Sequence, residues 1–133
     1  MYKETISPRF CETDALGHIN NTVVPMWFEK AREPIFRLFT PDMDVNNWKL
    51  IIARITVDFL AEIYYGTDNE VEIITGLIKV GNSSMTIRQE VWQRGKCCAR
   101  GDAVMIHYNY TGAQSVSIPD AIRSELQNHL LSE

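Results

Sequence analysis

Residues 9–32 read RFCETDALGHINNTVVPMWFEKAR, and the way this stretch folds decides the rest of the chain. Asp14 and His18 lie in a short polar segment that runs through Gly17 into the Asn20-Asn21 pair. Beyond that pair Trp27, Phe28, Ala31, Ile35 and Phe39 recur at helical spacing and share one face of an amphipathic helix. Asparagine is among the best N-caps, because its side chain accepts from amides that the first turn leaves free. The helix is expected from Asn21 or Thr22 to Leu38. Pro25 fits the first turn if Thr22 is the cap, and Pro34 lies far enough in to kink the helix. A carboxylate and an imidazole therefore precede a set of unpaired N–H donors at the positive end of a helix dipole. That pattern suits attack on a carbonyl.

Past the turn-rich segment 40–48 the period changes from helical to alternating. Ile51, Ala53, Ile55, Val57 and Phe59 alternate with Arg54, Thr56 and Asp58, which predicts a half-buried strand. Val71, Ile73, Thr75 and Leu77 mark a second strand, and Met85, Ile87 and Val91 a third. Lys96 to Tyr110 forms a fourth, joined to the third by a tight antiparallel hairpin at Gln93-Arg94-Gly95-Lys96. Residues 4–12 suggest a short first strand and 13–19 a loop. Pro119 opens a tail helix with Ile122, Leu126 and Leu130 spaced by four. Consecutive strands with short connections cannot all be parallel. The chain is therefore expected to be α+β, a single domain over 1–133 with one antiparallel sheet on one central helix.

Composition excludes several classes of function. The net charge over 133 residues is −4, with no Lys/Arg block, which argues against nucleic acid as a partner. No apolar run approaches the length of a membrane span, and MYKETISPRF lacks the apolar core of a signal peptide. Three cysteines, two of them adjacent, make no disulfide framework, so a reducing cytoplasm is the expected setting. Cys97 and Cys98 read as small apolar residues on opposite faces of a strand, and Cys11 reads the same way. No HxxxH or HExxH spacing exists, so no metal site is expected, and His107 and His129 receive no role. No GxSxG elbow surrounds a serine.

The segment ETDALGHINN followed by WFEKAR, with VDFLAEIYYGTDNEVEI and VGNSSMTIRQEVW downstream, resembles the hotdog-fold acyl-CoA thioesterases, in particular the four-hydroxybenzoyl-CoA thioesterase-like family. The resemblance covers roughly residues 5–110. It implies a sheet wrapped around one long central helix, and a homodimer whose subunits join their sheets and hold the active sites at the interface. Whether such dimers pair further into a homotetramer is left open by the sequence. The resemblance also implies that Asp14 is the catalytic carboxylate, that a backbone N–H at or near Asn21 contacts the oxyanion, and that His18 is the histidine of the GHINN pattern, a catalytic candidate that orients the water or substrate, or else a structural residue that ties the loop to the helix. Asn20, Val24, Gly81, Ser83 and Ser84 become substrate-binding candidates. Val24 departs from the resemblance, because relatives usually carry an aromatic residue there, most often Tyr.

The activity so implied is hydrolysis of an acyl-CoA, or of an acyl-carrier-protein thioester, to a free acid without metal or organic cofactor. Asp14 acts either as nucleophile, forming a mixed anhydride, or as general base on water. Lys79, Arg88, Arg94, Lys96 and Arg100 supply most of the positive charge in the second half of the chain. Two or three of them near the pocket would suffice for the CoA phosphates. A hotdog dehydratase of 3-hydroxyacyl thioesters is one rival, though its histidine is expected in a differently patterned segment. A non-catalytic acyl-CoA-binding module is another, and the presence of both Asp14 and His18 argues against it.

Overall fold

The computed structural model describes residues 1–132. In chain order it contains β1 (Tyr2–Ile6), α1 (Val23–Ala31), α2 (Glu33–Phe39), β2 (Leu50–Phe59), β3 (Val71–Val80), β4 (Ser84–Gln93), β5 (Lys96–Asn109), β6 (Gln114–Ser115) and α3 (Asp120–Gln127). Short 3-10 turns occupy Phe10–Glu12 and Val45–Asn47. The main strands pair antiparallel in the order β1-β3-β4-β5-β2, with β6 added to β5. This is the α+β architecture the alternating pattern predicts. The β4–β5 hairpin closes through Arg94 (φ 53°) and Gly95 (φ 73°), the left-handed pair that a two-residue turn requires.

The helices bury their apolar stripe on one face of the sheet, and the core falls into two clusters. In one, Val23, Val24, Trp27 and Phe28 of α1 meet Val71, Ile73, Val91 and Ala99. In the other, Ile35, Phe36 and Phe39 of α2 meet Leu77, Met85, Ile87 and Met105. Between the clusters lies a buried polar layer. Arg32 Nη1 donates to Gln89 Oε1 at 3.1 Å, and Gln89 Nε2 donates to Phe28 O at 2.8 Å and Thr75 Oγ1 at 3.0 Å. Burial pulls the Arg32 guanidinium below its ordinary pKa, with Glu29 opposing the shift.

The long helix carries the kink expected from Pro34, which divides it at Arg32 into α1 and α2, because Pro34 has no N–H to continue the ladder and the Arg32 N–H reaches both Phe28 O and Glu29 O. Several expectations need correction. The first strand stops at Ile6, and residues 10–12 wind into a 3-10 turn. Glu12 fixes that turn by accepting from Arg9 N at 2.7 Å and Trp27 Nε1 at 3.0 Å. Cys11 is accordingly exposed on the turn and not an inward strand residue. Cys98 is buried where the β4–β5 register shifts, and Cys97 is half-buried; burial pushes both thiols up.

β2 was expected to be half-buried, yet its apolar residues stay largely open, with Ile55 50 % and Phe59 53 % exposed. It pairs only with β5 and lies at the sheet border; Leu50 at its start is buried with α2 and Val57 packs on the α1 cluster, while Ile51, Ile52 and Ile55 stay open. The tail helix ends at Gln127, so Leu130 leaves the helical stripe. The tail instead adds to β3, with Leu77 N donating to His129 O and Leu131 N to Leu77 O. No helix among the described residues is long and apolar enough to cross a membrane.

Candidate active site

The loop between the 3-10 turn and α1 folds back on itself. Thr13 bridges Ile19, Asp14 N donates to His18 O at 2.7 Å, and Gly17 at φ 81° makes the reversal that a side chain would strain. Inside this reversal Asp14 Oδ1 accepts from Leu16 N at 2.8 Å and His18 N at 3.1 Å. Its Oδ2 takes no hydrogen bond among the described residues and is left for other chemistry. Ile19 N donates to Ile63 O, and His18 bridges Tyr64, which fastens the loop to the segment following β2.

The helix start differs in detail from the sequence expectation. α1 begins at Val23 with Thr22 as the boundary residue, which leaves Pro25 in the first turn as expected, but Thr22 makes no capping bond. Asn20 takes that role: its Oδ1 accepts from Thr22 N and Thr22 Oγ1, both at 3.0 Å, and its carbonyl accepts from Val23 N. The Asn21 N–H is left with no partner among the described residues.

A cavity of about 450 Å³ opens at this point. Asp14, His18, Asn20 and Asn21 form its polar side, and Val24, Ile19, Phe59, Leu60 and Ile63 its apolar side. Val24 is 1 % exposed and serves both the core and the cavity wall. A free carboxylate oxygen, an unpaired amide at a helix start and an apolar wall are the groups needed to add an oxygen nucleophile to a carbonyl and hold the resulting charge.

His18 directs its side chain at Glu62 and Tyr64. Its Nε2 lies 3.1 Å from Glu62 Oε2, and its ring meets Tyr64 edge-on at 5.1 Å between centroids. Tyr64 Oη donates to the same Glu62 oxygen at 3.3 Å. Glu62 lines the cavity and was not singled out in the sequence, where it is one acid among several in VDFLAEIYYGTDNEVEI. Only the fold shows that it faces His18.

Gly81, Ser83 and Ser84 are not brought to this cavity. They form the β3–β4 turn at the other end of the sheet, where Gly81 N donates to Ser84 O and Arg123 Nη1 donates to Gly81 O at 2.7 Å. Lys79 lies near the same turn. Arg88 pairs with Asp102 and Arg100 with Glu90, each at 2.8 Å, whereas Arg94 and Lys96 stand on the β4–β5 hairpin. No group of three or more His, Cys, Asp or Glu that could hold a metal ion lies together among the described residues.

Known proteins share both the sequence pattern and the fold. The thioesterase-like superfamily profile matches residues 8–126. A predicted thioesterase from Bacillus stearothermophilus is 42 % identical and superimposes with a TM-score of 0.93, covering 99 % of this chain and 98 % of that one. A thioesterase from Thermus thermophilus, solved in complex with coenzyme A and Zn, is 30 % identical with a TM-score of 0.81, covering 94 % and 96 %. The uncharacterized protein YsmA of Bacillus subtilis (strain 168) is 27 % identical over 122 residues, or 91 % of this chain and 82 % of that protein.

Proposed function

The chain belongs to the thioesterase-like superfamily, and from that premise we propose that it hydrolyses acyl-CoA thioesters to a carboxylic acid and CoA, with Asp14 as the attacking or activating carboxylate. The observation that carries this reading is the pairing of an unengaged Asp14 Oδ2 with an unpartnered Asn21 N–H at the wall of one cavity. Two backbone amides hold Oδ1, so Oδ2 is the oxygen free to act, directly on the carbonyl carbon or through a water. In the direct route an Asp14–acyl anhydride forms as the C–S bond breaks and CoA leaves as thiolate; water then cleaves the anhydride. In the water route Asp14 takes the proton as hydroxide adds. In both, the oxyanion points at the Asn21 N–H and the start of α1.

His18 is a positioning residue. Its main chain holds Asp14 from both sides, and Glu62 fixes the direction of its imidazole. The binding of coenzyme A by the Thermus thermophilus thioesterase supports CoA as the carrier. The open apolar side chains of β2 support assembly through that strand into a homodimer, with Phe59 at both the border and the cavity. The free state of Cys11, Cys97 and Cys98 fits a cytoplasmic setting.

The test is thiol release across a panel of acyl-CoAs. Release from at least one class, with one acid formed per thiol, is expected, and absence of release from every class overturns the reading. In a single turnover in ¹⁸O-water, label in the Asp14 carboxylate identifies the direct route, since it arises only when water cleaves the anhydride at the Asp14 carbonyl carbon.

A further inference from the structure

The cavity at Asp14 is not isolated. A second cavity, of about 470 Å³, opens on the other side of Leu60, Ala61 and Glu62, which are walls of both. Its far wall is the β4–β5 hairpin, carrying Arg94 and Lys96.

The charges on this hairpin differ from those along the strands it joins. Arg88 and Arg100 are neutralised by Asp102 and Glu90. Arg94 and Lys96 have no carboxylate within 4.0 Å among the described residues. The one acid shared by the two cavities, Glu62, is engaged by His18 and Tyr64.

Arg94 also occupies a costly position. At φ 53° it takes the first place of a turn that Asn or Gly would fill with less strain. The surroundings hold it in place. Its guanidinium carbon lies 5.7 Å from the centroid of the Tyr64 ring. Buried Gln93 staples the hairpin to the segment carrying Tyr64: its Oε1 accepts from Tyr64 N at 2.9 Å, and its Nε2 donates to Tyr64 O at 2.9 Å and Asn69 O at 2.8 Å.

We propose that the second cavity holds the phosphate-bearing nucleotide end of coenzyme A, with Arg94 and Lys96 as its counter-charges. The pantetheine arm then crosses Leu60 and Ala61 to bring the thioester to Asp14. This assignment rests on the thioesterase reading for its ligand, but its groups are separate from Asp14 and Asn21. Two cations without a carboxylate partner at the wall of one cavity suit a polyanion, and the neutral pantetheine arm gives them nothing to bind.

The test uses the full-length protein with Arg94→Asn combined with Lys96→Gln, and Lys3→Gln as a control on the exposed face of β1. Binding of free CoA and of pantetheine is measured by calorimetry at two salt concentrations. kcat and KM are measured with one acyl group carried on CoA and on pantetheine. The double variant is expected to raise Kd for CoA and KM for acyl-CoA roughly tenfold, to keep kcat, and to flatten the salt dependence. The wild-type preference for CoA over pantetheine carriers then shrinks by the same factor, while Lys3→Gln behaves as wild type. Asn suits the turn better than Arg, so a lower melting temperature does not account for the loss.

Unchanged CoA affinity in the double variant overturns the assignment, as does an equal loss on both carriers or a wild type that binds no CoA. A wild type that binds CoA through Arg94 and Lys96 but hydrolyses no thioester retires the Asp14 reading and leaves this one standing. Hydrolysis that the double variant performs like wild type does the reverse.

Discussion

Replacing Asp14 by Asn separates chemistry from scaffolding, because in the proposed reading Oδ2 reacts while Oδ1 is held by the loop. Oδ1 accepts from Leu16 N and His18 N, and an Asn side-chain oxygen takes over both bonds. What is lost is their charge assistance. A charge-assisted bond is roughly twice as strong as a neutral one, whose net worth is about 1 kcal/mol. Leu16 is exposed and His18 only half-buried, so water compensates part of the difference. The cost to folding is therefore about 1 kcal/mol, or roughly 2–6 °C in melting temperature for a domain of this size. Asp14→Ala removes the acceptor outright and is expected to cost about 2 kcal/mol. Turnover follows another scale. Asn has neither nucleophile nor base at the Oδ2 position, so kcat is expected to fall on the order of 10²–10⁴-fold in both variants. Thiol release with a chromogenic disulfide, paired with thermal melts, reads both quantities. An Asp14→Asn enzyme that keeps more than about half of wild-type turnover refutes the assignment. A loss of turnover that tracks loss of folded protein refutes the division of labour between the two oxygens.

Three further outcomes are expected. Sedimentation should give a dimer at micromolar concentration that buries well over about 1,000 Å², and Ile55→Lys on β2 should shift it to an inactive monomer; a fully active wild-type monomer would sink the interface. Val24 leaves room where a Tyr would project, so aliphatic acyl-CoAs should exceed hydroxybenzoyl-CoA in kcat/KM by about 10- to 200-fold, and Val24→Tyr should narrow that ratio; a wild-type preference for the aromatic ester contradicts this. A maleimide should label exposed Cys11 first and reach Cys98 only on unfolding, since burial both shields that thiol and raises its pKa; mass spectrometry showing Cys98 modified as fast as Cys11 would be the contrary result.

The central helix and the four long strands were legible because their apolar periodicity comes from burial against one partner layer. The same logic failed at β2. Alternation there marks a face meant for burial, but within one chain nothing covers Ile55 or Phe59. Pro34 signalled the interruption between α1 and α2, but not that Arg32 at that point turns into the core to reach Gln89, a contact across 57 positions. At the site, Asp14, His18, Asn20, Asn21 and Val24 were legible because they sit in one continuous motif, which a loop and a helix start must bring together. Glu62 was not, because its pairing with His18 joins distant segments and leaves no mark in local spacing. Gly81, Ser83 and Ser84 came only from resemblance, and in this chain their carbonyls accept from Arg123, from His107 of β5 and from Gly81 N, respectively.

The buried polar layer has a consequence for how the sheet finds its pairing. β4 alternates without interruption, with Met85, Ile87, Gln89, Val91 and Gln93 all facing inward. Such a strand can slide by two residues along its neighbours and still present its inward side chains to the core, so hydrophobicity alone leaves neighbouring alignments nearly equal in energy. The two glutamines break that degeneracy. A two-residue slip would carry Gln89 away from Arg32, Thr75 and the Phe28 carbonyl into a wall of aliphatic side chains, and would take Gln93 from the three backbone groups it satisfies. Each stranded amide would cost about 1–3 kcal/mol, more than a slipped strand recovers by packing. With the two-residue turn fixing the β4–β5 register, two polar residues in an oily strand thus act as a vernier that admits one alignment of β4 with the core, and Gln93 ties the segment bearing Tyr64 to that alignment.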